Sequence, residues 1–276
     1  MKAEQLPAPH VQGCSEVATS GLRAGKQFSG IDRVAEEVPV AMEFNGISHA
    51  VMLATPCDLE DFALGFALSE GIVATAAELY GVEVVESEEG VTLRQEISGA
   101  SFARLKQYRR NLAGRTGCGL CGTESLAQAV RPVERVGHDF QIDAGAIGRG
   151  LEAIRTAQLL HQATGAVHAA AWCDATGAIC VLREDVGRHN ALDKLVGAMA
   201  RTRMATDSGF ALVTSRASYE MVQKTAAAGM AILVAISAPT ALAINTALAA
   251  NVALVGFARE RDIVVYAHPE RVRFNP

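Results

Sequence analysis

The chain has 276 residues, half of them hydrophobic but only 5% aromatic, with a formal net charge of -5 and a pI near 5.8. That length allows one or two domains with a real core, and small apolar side chains suit helices laid on a buried parallel sheet. No basic stripe points to nucleic acid, and no basic segment followed by an apolar run marks a secretory signal, so a cytoplasmic location is expected.

Residues 1–30 show no sustained period and read as a mobile N-terminal arm. Apolar runs at 39–44 and 48–55 flank Asn45-Gly46, a strong hairpin signal. A helix follows at about 59–69, with Thr55 or Asp58 to cap its start and Gly71 its end. Residues 82–86 and 91–97 make a second hairpin, and 98–112 a helix ending in Lys106, Arg109 and Arg110. The pattern changes near 131–145. A helix runs from 145 to about 161, and strands follow at 168–173 and 178–183. Helices at 190–201, 219–228 and 241–250 then alternate with strands at 210–214, 232–236 and 252–255, and 263–266 forms a final edge strand. This alternation predicts a mainly parallel sheet with helices on both faces. Residues 225–258 carry no charge, but Gly229, Pro239, Asn245 and Asn251 divide them into pieces too short to span a membrane.

Six cysteines are present, and only Cys118 and Cys121 are closely spaced. Cys14, Cys57, Cys173 and Cys180 read as isolated thiols, the last two buried in strands. A chain this long and apolar needs no disulfide framework. Cys118 and Cys121 lie in a stretch, 114–122, with four glycines in nine residues. Glycine loses the most backbone entropy on ordering, so this loop is expected to be mobile, as a thiol-carrying arm would be. Sulfur handling ranks first for the pair. A redox pair is second, because such a pair usually opens a helix directly after a strand. Zinc is third, because no second pair completes the ligands, so no structural metal is expected. Free cysteine is only about 3% thiolate at neutral pH. Lowering its pKa to about 7 would raise the thiolate roughly 16-fold, but weaker nucleophilicity would return about 5-fold of that. Access and docking must therefore matter more than acidity.

Ligands of parallel sheets bind beyond the carboxyl ends of the strands. Three such ends carry suitable chemistry. Ser215 and Arg216 follow one strand and lead into a helix whose free N–H groups suit a phosphate. Residues 237–240 follow another. Phe257, Ala258 and Arg259 follow a third, offering a ring for stacking and a guanidinium, with Arg261 close behind. Together they suggest a nucleotide-like ligand, although polar loops with surface arginines are the plainer alternative. Residues 184–190 pack Glu184, Asp185, Arg188, His189 and Asn190 ahead of a helix. Asp185 or Asn190 caps that helix, or a buried Asp–Arg–His network forms; His189 alone makes no zinc site.

Three blocks, residues 114–122, 184–197 (EDVGRHNALDKLVG) and 214–229 (TSRASYEMVQKTAAAG), resemble the FdhD family of formate dehydrogenase accessory sulfurtransferases. The resemblance runs from about Pro39 to the end. It implies a sulfur carrier that accepts sulfur from a cysteine desulfurase as a persulfide on Cys118, with Cys121 as the second loop cysteine. The sulfur would pass to a molybdenum or tungsten bis(molybdopterin guanine dinucleotide) cofactor, bound as substrate before its insertion into formate dehydrogenase. GDP would act as a partial mimic. The family's cofactor-binding run matches Phe257, Ala258, Arg259, Glu260, Arg261 and Asp262. The resemblance also implies a homodimer and an α/β fold: an α+β domain at 31–140, then a cytidine-deaminase-like three-layer αβα domain at 141–276. Deaminase chemistry is rejected, because alanines follow His168 where a Glu is needed and no Pro-Cys-x-x-Cys is present. A cofactor chaperone without sulfur transfer and a thiol-disulfide oxidoreductase are the rival readings.

Overall fold

The computed structural model describes residues 11–113, 133–259 and 262–274. The first two strands, β1 (Cys14–Arg23) and β2 (Lys26–Ala35), pair antiparallel along their whole length. Residues 14–30 of the expected N-terminal arm thus carry regular structure, while residues 1–10 of it lie outside the described residues. The turn is Ala24-Gly25, both at positive φ, as a two-residue hairpin loop requires. Ala-Gly does not announce such a turn, and the hairpin is largely exposed, so no alternation marks it.

The next two strands, β3 (Val38–Phe44) and β4 (Ile47–Ala54), form the expected Asn45-Gly46 hairpin, with φ of 46° and 79° at the turn. Helix α1 (Leu59–Ser69), strands β5 (Leu79–Ser87) and β6 (Gly90–Ile97), and helix α2 (Gly99–Ala113) follow. The strands lie in the order β4-β3-β6-β5. Val40, Met42 and Phe44 from β3 and Leu93 from β6 are buried with Phe62 and Phe66 of α1 in one core.

A second core reaches back to Val133, inside the stretch 131–145 where the sequence pattern changes. Its elements begin with β7 (Ile142–Asp143), α3 (Ala144–Ala157) and α4 (Leu159–Thr164). A single helix was expected across these two; the chain breaks at Gln158 because the Glu184 carboxylate accepts from the Leu160 and His161 N–H groups, both at 2.8 Å. Then come β8 (His168–Asp174), β9 (Ile179–Asp185), α5 (Arg188–Arg201), β10 (Gly209–Val213) and α6 (Tyr219–Ala227). Strand β11 (Ile232–Ala235), helix α7 (Ala241–Ala250), and strands β12 (Ala253–Arg259), β13 (Asp262–Ala267) and β14 (Val272–Arg273) complete the chain.

Six strands form one sheet in the order β13-β12-β11-β10-β8-β9. Only β10–β11 and β11–β12 are parallel. The expectation of a mainly parallel sheet is thus corrected: β8 and β9 form a hairpin that joins β10 antiparallel, and β13 folds back on β12. A Cβ on Gly150 of α3 would meet the Phe210 ring at 3.1 Å and the Cys173 sulfur at 3.4 Å, so α3 covers that face. Helices α5, α6 and α7 cover the other, giving a mixed α/β fold. Among the described residues no helix is long and apolar enough to cross a membrane.

The two cores meet where α1 crosses α5. A Cβ on Gly65 would stand 1.7 Å from the Asp193 carbonyl oxygen, and one on Gly197 would stand 1.8 Å from that of Asp61. The backbones therefore touch, and charged side chains are buried around the contact. Asp61 accepts from Arg183 and Arg201, each at 2.7 Å. Lys224 Nζ lies 2.8 Å from Glu70 and 3.0 Å from Asp193. Lys194 reaches Asp185 at 2.7 Å.

Candidate functional site

Strands β10, β11 and β12 are neighbours running in one direction, so their carboxyl ends open on a single edge of the sheet. The loops after them are tied together. Thr240 N–H donates to the Ala217 carbonyl at 3.1 Å, and Phe257 N–H to that of Ser237 at 3.2 Å. The β12–β13 ladder is irregular between Gly256 and Arg259, and Phe257 there adopts φ +49°. A left-handed conformation at a non-glycine residue costs on the order of 1–3 kcal/mol and tends to mark a working position. Its effect is to turn the Phe257 ring outward, 41% exposed, while Ala258 beside it is fully buried. Arg259 Nε donates to the Ile236 carbonyl at 3.2 Å, which leaves its terminal nitrogens without a partner among the described residues.

These side chains line a groove of about 920 Å³ between the sheet edge and α3, whose walls include Phe257, Arg259 and Asp262 opposite Gly145, Arg149 and Glu152. An adjoining cavity of about 490 Å³ shares Glu152 and Arg259 and adds Arg155, Ile236 and Ala258. Phe257, Ala258, Arg259 and Asp262 are thus brought together. Ser215 and Arg216 are not: neither lines these cavities. Ser215 is buried and its hydroxyl donates to the Arg216 carbonyl at 3.0 Å, so it serves its own loop, and Arg216 is exposed. Glu260, Arg261, Cys118 and Cys121 lie outside the described residues.

Sequence reasoning missed the α3 wall. Arg149, Glu152 and Arg155 recur every third residue and so share one helical face. That spacing was visible, but nothing local says that α3 lies along the strand ends. Arg149 is held there by its Nε–H, which donates to the Thr176 carbonyl at 2.7 Å.

The block at 184–190 has a different role from either expected one. Asp185, fully buried, accepts from Gly187 N at 2.7 Å, Thr55 N at 3.0 Å and Asn190 Nδ2 at 3.0 Å, besides its contact with Lys194. It joins the two cores and forms no network with Arg188 and His189. Helix α5 starts at Arg188 with Gly187 as its N-cap, so neither Asp185 nor Asn190 caps it by a side chain.

Cys173 is buried as expected, and burial pushes its thiol up to about 12. Cys180 is exposed, contrary to expectation, because its side chain faces away from the core on an edge strand. Burial also raises the Cys57 thiol, outweighing the Lys194 ammonium 4.0 Å away. Among the described residues no group of three His, Cys, Asp or Glu side chains is placed to hold a metal ion.

The model of the FdhD/NarQ family matches residues 35–273. The chain belongs to this family. An FdhD/NarQ relative from Bordetella petrii, called sulfur carrier protein FdhD, is 55% identical over 272 residues, which are 98% of each chain. A relative of the same name from Variovorax paradoxus is 56% identical over 256 residues, 93% of this chain and 92% of its own. A crystal structure from Desulfotalea psychrophila, described as a candidate formate dehydrogenase accessory protein, shares the fold with a TM-score of 0.72 at 23% identity. It covers 94% of this FdhD/NarQ chain and 99% of its own.

Proposed function

We propose that this chain is a cytoplasmic sulfur carrier required for formate dehydrogenase activity. The observation that carries the reading is the 55% identity to a sulfur carrier protein across 98% of both chains. The groove at Phe257 and Arg259 supports it, because an exposed ring and an arginine whose terminal N–H groups meet no partner among the described residues suit a purine and its phosphates.

On this reading a cysteine desulfurase presents a persulfide, and the Cys118 thiolate attacks its outer sulfur. The desulfurase leaves as a thiolate, and a new S–S bond forms on Cys118. Release as sulfide requires two electrons. The Cys121 thiolate supplies them by attacking the Cys118 sulfur and closing a disulfide while hydrosulfide departs. The hydrosulfide becomes a ligand of the metal in the bis(molybdopterin guanine dinucleotide) substrate, whose guanine end sits in the groove. A dithiol reductant resets the pair. The loaded cofactor passes to formate dehydrogenase, and the carrier works as a homodimer.

Intact mass after incubation with a desulfurase and cysteine tests the carrier step. The wild type should gain one sulfur, Cys118→Ser none, and Cys121→Ser should load but release poorly. Loading of Cys118→Ser at the normal rate would remove Cys118 from this role. A wild type that gains no sulfur would favour a cofactor chaperone, and a stable disulfide with insulin-reducing activity would favour an oxidoreductase.

A further inference from the structure

A second polar cluster lies along the same sheet edge, apart from the groove. His168 opens β8, Arg188 and His189 open α5, and Ser218 precedes α6. The β10 end abuts this point: Ala169 N–H donates to the Thr214 hydroxyl at 2.9 Å. His189 Nε2 stands 2.7 Å from a Glu220 carboxylate oxygen, although not in hydrogen-bond geometry, so α5 and α6 begin side by side. The Arg188 charge acts on both His168 and Glu220. Burial, then Arg188, holds His168 below the usual imidazole range, which leaves it neutral near pH 7.

Two donors here lack an answer. Among the described residues, Arg188 Nε and Ser218 Oγ are buried without a hydrogen-bond partner. Native structures rarely leave such groups unmet, since each costs free energy. The nearby carboxylates do not answer them. Asp185 is taken up by Lys194, Thr55, Gly187 and Asn190, and Glu220 faces His189. A guanidinium, a hydroxyl and an imidazole at the starts of β8, α5 and α6, which begin side by side at this edge, are the chemistry of a phosphoryl-type oxyanion. Adjacent strands lie about 4.8 Å apart. The cluster at the ends of β10 and β8 is therefore about 10–15 Å along the sheet edge from Phe257 on β12, within the span of an extended dinucleotide.

We infer that Arg188, Ser218 and His168 form a second anion subsite, which takes a phosphoryl group of the ligand whose guanine end occupies the groove. The identity of that ligand rests on the function proposed above; the anion chemistry of the subsite does not.

Calorimetry with two probes, inorganic pyrophosphate and GDP, separates the two. In the Arg259→Ala background, which removes any pyrophosphate held in the groove, Arg188→Gln should weaken the remaining pyrophosphate binding about 10- to 150-fold, as loss of a charge-assisted hydrogen bond does. Ser218→Ala, which breaks no bond among the described residues, should weaken it severalfold and carries the test if Arg188→Gln proves poorly folded. Equal pyrophosphate affinity in that background and in the folded variants built on it, or no binding in that background, overturns the subsite whatever GDP does. Arg259→Ala should weaken GDP by the same factor that Arg188→Gln weakens pyrophosphate. Unchanged GDP affinity would remove the groove reading and leave the subsite standing on pyrophosphate alone.

Discussion

Lys224 is 4% exposed, and its ammonium meets Asp193, Glu70 and the Ser69 hydroxyl. Burial alone would lower its pKa, but the Asp193 and Glu70 carboxylates outweigh burial and hold it above the ordinary value of 10.5. A folded pKa above the unfolded one means that this contribution is complete below that ordinary value and is lost as pH rises through the folded one. Lys224→Met leaves Asp193 buried without a cation, which should cost about 3–5 kcal/mol in urea denaturation near pH 7. The gap between wild type and variant should then shrink above pH ~10.5, and a constant gap would show that the pair is not the cause. At this scale the sequence was legible in type and silent on partners. Asp185 stood out in its block, but its partner Thr55 lies 130 residues away, and no spacing rule reports that.

Among the elements, α1 shows both sides of the same limit. Its bounds, Leu59–Ser69, were readable from the segment itself, with Gly71 just past its end, but the expected side-chain cap is absent: Asp58 sits at the N-cap position without a side-chain cap bond. The reason for Gly65 in its middle was not readable there, because it lies on α5. Gly65→Ala puts a methyl group into the Asp193 carbonyl, and α1 must slide or lift from α5. Overpacking typically costs 1–3 kcal/mol, and contact with backbone on both sides leaves no flexible side chain to yield. The expected loss is therefore at or above the top of that range, and a urea midpoint matching the wild type would refute the contact. The α3–α4 break followed the same logic, set by Glu184 on another strand. The β1–β2 hairpin escaped notice for the opposite reason: its exposed faces bury too little to leave a pattern.

For the whole molecule, helix–strand alternation gave the layering but overstated how many strands run parallel, since the two hairpins at the sheet's flanks are decided by pairing rather than pattern. The groove lies where parallel strand ends face a common edge, so the strand-end reading put Phe257 and Arg259 beside it, whereas nothing in the segment placed the α3 wall there. The seam at α1 and α5 bears on cooperativity. Proteins with two cores often unfold in two steps, because each can melt while the other stands. Here separation of the cores would strip Asp61 of Arg183 and Arg201, and Lys224 of Glu70, and leave Asp193 and Asp185 short of their hydroxyl and amide donors. Scanning calorimetry should therefore show one heat-absorption peak whose van't Hoff and calorimetric enthalpies agree. Two resolved peaks would mean that the seam opens first and that the halves are thermally independent. With a single peak, heat offers no intermediate in which one half is intact and the other is exposed to aggregation or cleavage.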